Sequence, residues 1–119
     1  MDELIERLVA SVGVDRTTAE KSLGIILDFL AKEGPADKVQ ALLARMPGAD
    51  GLIAAARESD GGGGMGGVMG AGSRMMAVGL GMGQIQGITR ETIAYARAQA
   101  GEDVVGEIVG AIPGLSQFA

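Results

Sequence analysis

Residues 15–48 read DRTTAEKSLGIILDFLAKEGPADKVQALLARMPG, and this stretch decides the fold. Ala19, Leu23, Ile26, Leu27 and Leu30 recur at three- and four-residue spacing, which gathers them on one stripe of a helix. Asp15 or Thr17 supplies its cap, the latter with Glu20 at capping-box spacing, and Gly34-Pro35 closes the run. A second helix starts near Ala36 with Asp37 in its first turn. It buries Val39, Leu42, Leu43 and Met46 and stops at Pro47 and Gly48, because proline cannot continue the ladder.

The same period extends in both directions. Leu4, Ile5, Leu8, Val9 and Val12 form the apolar stripe of a helix over residues 2–12, ended by Gly13, and a short helix is expected over 49–58. Residues 60–67 read DGGGGMGG, a composition with high unfolded entropy and almost nothing to bury, and are expected to be a flexible linker. A glycine- and methionine-rich helix is expected over 68–86, followed by helices over 89–100 and 102–112 that are separated by Gly101 and ended by Pro113-Gly114. Sustained alternation of apolar and polar residues is missing and β-branched residues are sparse, so no strand is assigned.

The two ends of the chain match each other. Val14, Arg16 and Thr18 align with Ile88, Arg90 and Thr92 at an offset of 74. Val39, Leu42, Leu43, Met46, Pro47, Gly48 and Leu52 align with Val105, Ile108, Val109, Ile112, Pro113, Gly114 and Phe118 at an offset of 66. On this alignment the second copy is eight residues shorter in its middle helix, close to two helical turns. The expected fold is all-α: a small bundle forming one domain over 1–119, made of two pseudo-repeated helical halves, 1–59 and 68–119, joined by the glycine-rich linker 60–67.

The order of helices, the Met-Pro-Gly-type stop, the glycine tract and the Gly/Met/Ala-rich segment resemble the VcgC/VcgE-type family of bacterial proteins of unknown function. The residues that carry the resemblance are Gly13–Thr18, Ala44–Ile53, Gly61–Gly67 and Gly101–Ile108. It implies a small all-helical bacterial protein and brings no catalytic residue with it.

Composition excludes much chemistry. The 119 residues include no Cys, His or Trp, which removes disulfides, thiolate nucleophiles, imidazole bases and the usual zinc ligands. Ten basic residues stand against fifteen acidic ones, and the net charge of −5 repels phosphate backbones, so no nucleic-acid partner is expected. The chain starts Met1-Asp2-Glu3, acidic where a leader is basic, and a cytoplasmic location is expected.

Each candidate site also has a plainer structural role. Gly62, Gly64 and Gly67 satisfy a dinucleotide-binding pattern that any glycine run satisfies, and no lysine follows them. Arg74 follows Gly72-Ser73 and could meet an anion at a helix start; a surface arginine is the plainer role. Asp2, Glu3 and Glu6, like Glu102, Asp103 and Glu107, lack calcium-loop spacing and suit helix N-termini. The distinctive feature is the face Gly79, Gly83 and Gly87, spaced by four and flanked by Met75, Met76 and Met82. It is expected to be either a packing face or an interaction surface; a membrane-lying helix is the less favoured role because Arg74 and the glycines interrupt the apolar run.

The expected function is therefore non-enzymatic: a structural or protein-interaction protein, as a homodimer or with another protein, with no cofactor and no metal. The alternative is a binder of a small apolar ligand held between the halves by Met75, Met76, Met82 and Leu27.

Overall fold

A computed structural model describes residues 2–59, 67–112 and 114–117. Among them are seven α-helices: α1 (Asp2–Val12), α2 (Arg16–Glu33), α3 (Ala36–Ala44), α4 (Ala49–Ser59), α5 (Gly67–Ala77), α6 (Met82–Ala100) and α7 (Glu102–Ala111). A single 3-10 turn, Leu115–Gln117, follows α7. The all-helical class is as expected. The linker assigned to 60–67 falls outside the described residues except for Gly67, which opens α5.

Local signals explain most of the boundaries. Asp15, in extended conformation, caps α2 by accepting the Thr18 N–H at 2.8 Å; Thr17 lies within the helix, and Glu20 turns to Arg16 instead. Pro35 precedes α3, where its missing N–H costs nothing. Gly13 ends α1 with a positive φ that a residue bearing a Cβ adopts only with strain.

The helix expected over 68–86 is two helices. Gly79, at φ +98°, turns the chain after α5, and Gly81 caps α6 with its N–H donating to the Gln84 side-chain oxygen at 3.0 Å. α6 therefore begins at Met82 rather than Thr89 and runs for 19 residues, against 18 for α2. The second long helix is not eight residues shorter than the first. Nor are the members of the 74-residue offset equivalent: Val14 precedes α2, whereas Ile88 lies inside α6.

α2 is the central element. Its residues from Ser22 through Leu30 are all buried, because α4 and α5 cover one side while α1, α3 and α6 cover the other. α2 and α4 approach closely, since a Cβ on Gly24 would sit 2.4 Å from the Leu52 carbonyl oxygen. α1 packs on α6, α5 on α2, and α3 on α7. Leu8, Leu23, Leu27, Leu42, Ile88 and Ile108 are at most 1% exposed and belong to one core cluster. Burying a side chain of that size contributes about 1.5–3 kcal/mol.

Candidate functional site

The residues of the expected glycine and methionine face part company. Met75 is buried in the core, while Met76 and Met82 are 50% and 53% exposed. Gly79 sits in the turn, so it shares no helix with Gly83 and Gly87. Gly83 faces open space, whereas a Cβ on Gly87 would lie 3.3 Å from Val12 Cγ2 on α1. A glycine stripe along one helix does not form. Leu27 borders an internal void of about 10 Å³, with Leu30, Leu42, Thr92 and Ile108. That is at or below the roughly 10–15 Å³ one water molecule requires, so no ligand fits there.

A larger concavity opens elsewhere. Two helices, α4 and α5, lie side by side on α2 and leave between them a groove of about 470 Å³. Its floor is the first half of α2, through Thr17, Glu20, Lys21 and Ile25. Its walls are Leu52, Ala55 and Ala56 on α4 and Arg74 and Ala77 on α5, with Val78 just beyond. The cleft exists because its walls carry alanines where longer side chains would fill the space. Its volume lies within the roughly 300–1,000 Å³ of small-molecule sites, which are likewise mostly apolar with a few polar groups.

Arg74, one of the groove residues, reaches a fully buried carboxylate on α2. Asp28 Oδ1 accepts from Arg57 Nε at 2.7 Å, and Oδ2 accepts from Arg74 Nη1 at 3.1 Å and pairs with Lys32 Nζ at 3.1 Å. Arg74 also donates through Nη2 to the Ala56 carbonyl at 3.1 Å, so one guanidinium from α5 reaches both α2 and α4. Burial pushes the Asp28 carboxyl up, but the hydrogen bonds from Arg57, Arg74 and Lys32 outweigh it and hold the group below the ordinary carboxylate range. Asp28 is thus the one charged residue in the buried stretch Ser22–Leu30 of α2, and it anchors three cations.

Arg74 corrects an expectation. It lies in the last turn of α5, away from the helix N-terminus at Gly67, so the amides of 72–75 form no anion site at a helix start. The acidic groups of the two clusters do lie in or near first turns. Asp2 pairs with Arg16 at 2.6 Å, Glu102 with Arg97 at 2.9 Å and Glu107 with Lys38 at 2.8 Å. Among the described residues no group of three or more acidic side chains is placed to hold a metal ion. Tyr95 and Phe29 are core residues. The glycine pattern at 62 and 64 lies outside the described residues.

Sequence reading passed over Asp28 because the stripe Ala19, Leu23, Ile26, Leu27 and Leu30 leaves position 28 on the other side of the helix. A signal was present: Gly24 and Asp28, four apart, mark a face on which a second backbone approaches and a charge is available to bind it.

No known protein family, curated protein or solved structure matches the chain. Among the described residues no helix is long and apolar enough to cross a membrane.

Proposed function

We propose that this chain is a non-enzymatic binding protein of the bacterial cytoplasm that holds a small apolar molecule in the groove between α2, α4 and α5. The observation that carries the reading is the groove itself: about 470 Å³, floored by Ile25 and walled by Leu52, Ala55, Ala56 and Ala77. This is the ligand-binding alternative drawn from the sequence, moved from the methionines to the alanine-walled cleft. A neutral fluorescent hydrophobe, N-phenylnaphthylamine, is expected to bind with one-to-one stoichiometry. Ala77→Phe places a ring in the cleft from an exposed position and is expected to abolish binding without unfolding the protein. Binding that is unsaturable, or indifferent to Ala77→Phe, refutes the reading.

The architecture proposed with it is an internal repeat at one uniform offset of 66. Its support lies in corresponding features: α2 and α6 start at Arg16 and Met82, α3 and α7 at Ala36 and Glu102, and Gly13 and Gly48 correspond to Gly79 and Gly114, all four with positive φ. Ala19, Leu23, Ile26, Leu27, Phe29 and Leu30 correspond to Ile85, Thr89, Thr92, Ile93, Tyr95 and Ala96, every one buried. The pairing of α1 with α6 mirrors that of α5 with α2. The kinship with VcgC/VcgE-type proteins belongs to the same proposal and rests on the motifs quoted from the sequence.

A second reading, association with another protein or a second copy, is favoured by the exposure of Met76 and Met82 on either side of the α5–α6 turn. Sedimentation at several concentrations separates the two, because a groove binder remains monomeric while it binds the hydrophobe.

A further inference from the structure

We propose that Asp28 and Arg74 are the positioning pair that sets the width of the groove, and through it the shape of molecule the groove admits. The inference rests on the groove being a binding site, but its first measurement is independent of any ligand.

Three observations meet at this pair. Among the described residues α4 and α5 each pack on α2 and share little contact with one another, so helix packing alone leaves their separation weakly fixed. Both walls are tied to one carboxylate, α4 through Arg57 to Asp28 Oδ1 and α5 through Arg74 to Oδ2. The tie also closes directly across the gap, because Arg74 Nη2 donates to the Ala56 carbonyl on α4, and Ala56 and Arg74 both line the groove. A guanidinium suits this task because its planar fork holds several acceptors at fixed angles, which a lysine ammonium on a flexible stem does not. The carboxylate is held rigidly, being fully buried on the central helix. Loss of the pair therefore removes the strap between the walls and leaves their contacts with α2 in place.

The test uses the absence of cysteine. Ala54→Cys on α4 and Ser73→Cys on α5 are exposed positions that do not line the groove, and nitroxide labels there report the wall-to-wall distance by pulsed electron resonance. Arg74→Met and Asp28→Asn are expected to lengthen and broaden that distance, Arg74→Lys to restore it only in part, and Glu91→Gln, which breaks the remote Arg7–Glu91 pair, to leave it unchanged. An unchanged distribution in folded Arg74→Met overturns the inference.

Two neutral ten-carbon alcohols, slender 1-decanol and compact, bulky 1-adamantanol, then read out shape. In Arg74→Met the affinity ratio of decanol to adamantanol is expected to fall at least about threefold. A merely destabilising change weakens both alcohols alike, and an unchanged ratio overturns the selectivity half of the inference. If the distance responds but neither alcohol binds the native protein, the binding function fails while the width-setting role stands.

Discussion

Replacing Asp28 by Asn keeps the shape of the side chain and removes its charge, leaving Lys32, Arg57 and Arg74 converging on a neutral amide. Breaking a buried ion pair by removing one partner typically costs about 3–5 kcal/mol. That range is too large here, because the Lys32 and Arg57 side chains are 51% and 54% exposed and can rehydrate. Arg74, at 18%, cannot do so as easily. The loss should fall mainly on the Arg74 contact, and we expect about 2 kcal/mol at neutral pH. For a chain of this size that corresponds to a fall in Tm of roughly 6–12 °C. Urea denaturation followed by circular dichroism at 222 nm measures it without needing tryptophan.

The pH dependence gives a sharper check. The Asp28 pKa is lowered in the folded protein, so its stabilisation is fully present above the unfolded carboxylate value of about 4 and is lost as pH falls through the lower folded value. Every other carboxylate contributes equally to both proteins, so the difference between native and Asp28→Asn isolates this group. It should hold steady from neutral pH to about 5 and shrink below about 4. In a double-mutant cycle with Arg74→Met the coupling should reach about 1 kcal/mol or more. A native-to-mutant difference under about 0.5 kcal/mol, or one independent of pH, would refute the reasoning.

Glycine substitutions should separate close packing from open surface. Gly24→Ala drives a Cβ into the Leu52 carbonyl on α4 and is expected to cost about 1–3 kcal/mol despite the better helix propensity of alanine, whereas Gly83→Ala meets open space and should gain up to about 1 kcal/mol. Both are read by urea denaturation, and a stabilised Gly24→Ala would mean that α4 does not lie against α2. Leu42→Ala and Ile108→Ala, each at a position 1% exposed, should cost roughly 2–5 kcal/mol apiece, and small equal effects would remove them from the core. Lys38→Ala breaks the exposed 2.8 Å pair with Glu107 and should lower stability only slightly, by an amount that fades in high salt. Gly83→Leu should leave sedimentation unchanged; conversion of a native dimer to monomer would instead place an association surface at the start of α6.

The boundaries that chemistry writes locally were legible. Gly13, Gly34-Pro35 and Gly101 each stop or separate helices where the structure has them, because a missing Cβ or a missing N–H acts on its own turn, whereas α3 ends at Ala44, three residues before the expected stop at Pro47, and leaves Met46 buried outside the helix. The split between α5 and α6 was not legible, since Gly79 as a left-handed turn residue and Gly83 as a helical one look alike in a glycine-rich run. The groove was hidden for a different reason. Ala55, Ala56 and Ala77 are unremarkable in sequence and become a cleft only when two helices, α4 and α5, settle on the same side of α2. Asp28 shares that fate: its partners lie 29 and 46 residues away, and no local period announces them.

The proposed repeat also bears on why α2 receives α4 on a face that α6 leaves exposed among the described residues. At an offset of 66, Gly24 and Asp28 correspond to Arg90 and Ala94, which are exposed on α6, whereas α2 at those positions receives α4. A helix docking on α6 as α4 docks on α2 would meet the Arg90 side chain where Gly24 offers a flat surface, and would find no carboxylate to anchor an arginine. α2 is accordingly buried on every side from Ser22 to Leu30, while α6 keeps a polar face that needs no cover. Two differences within the proposed repeat therefore distinguish the α2 face that receives α4 from the α6 face left exposed at Arg90 and Ala94. The same glycine and aspartate that admit α4 supply a close backbone approach and the carboxylate that ties both walls, so the groove and its strap arise from one face of one helix.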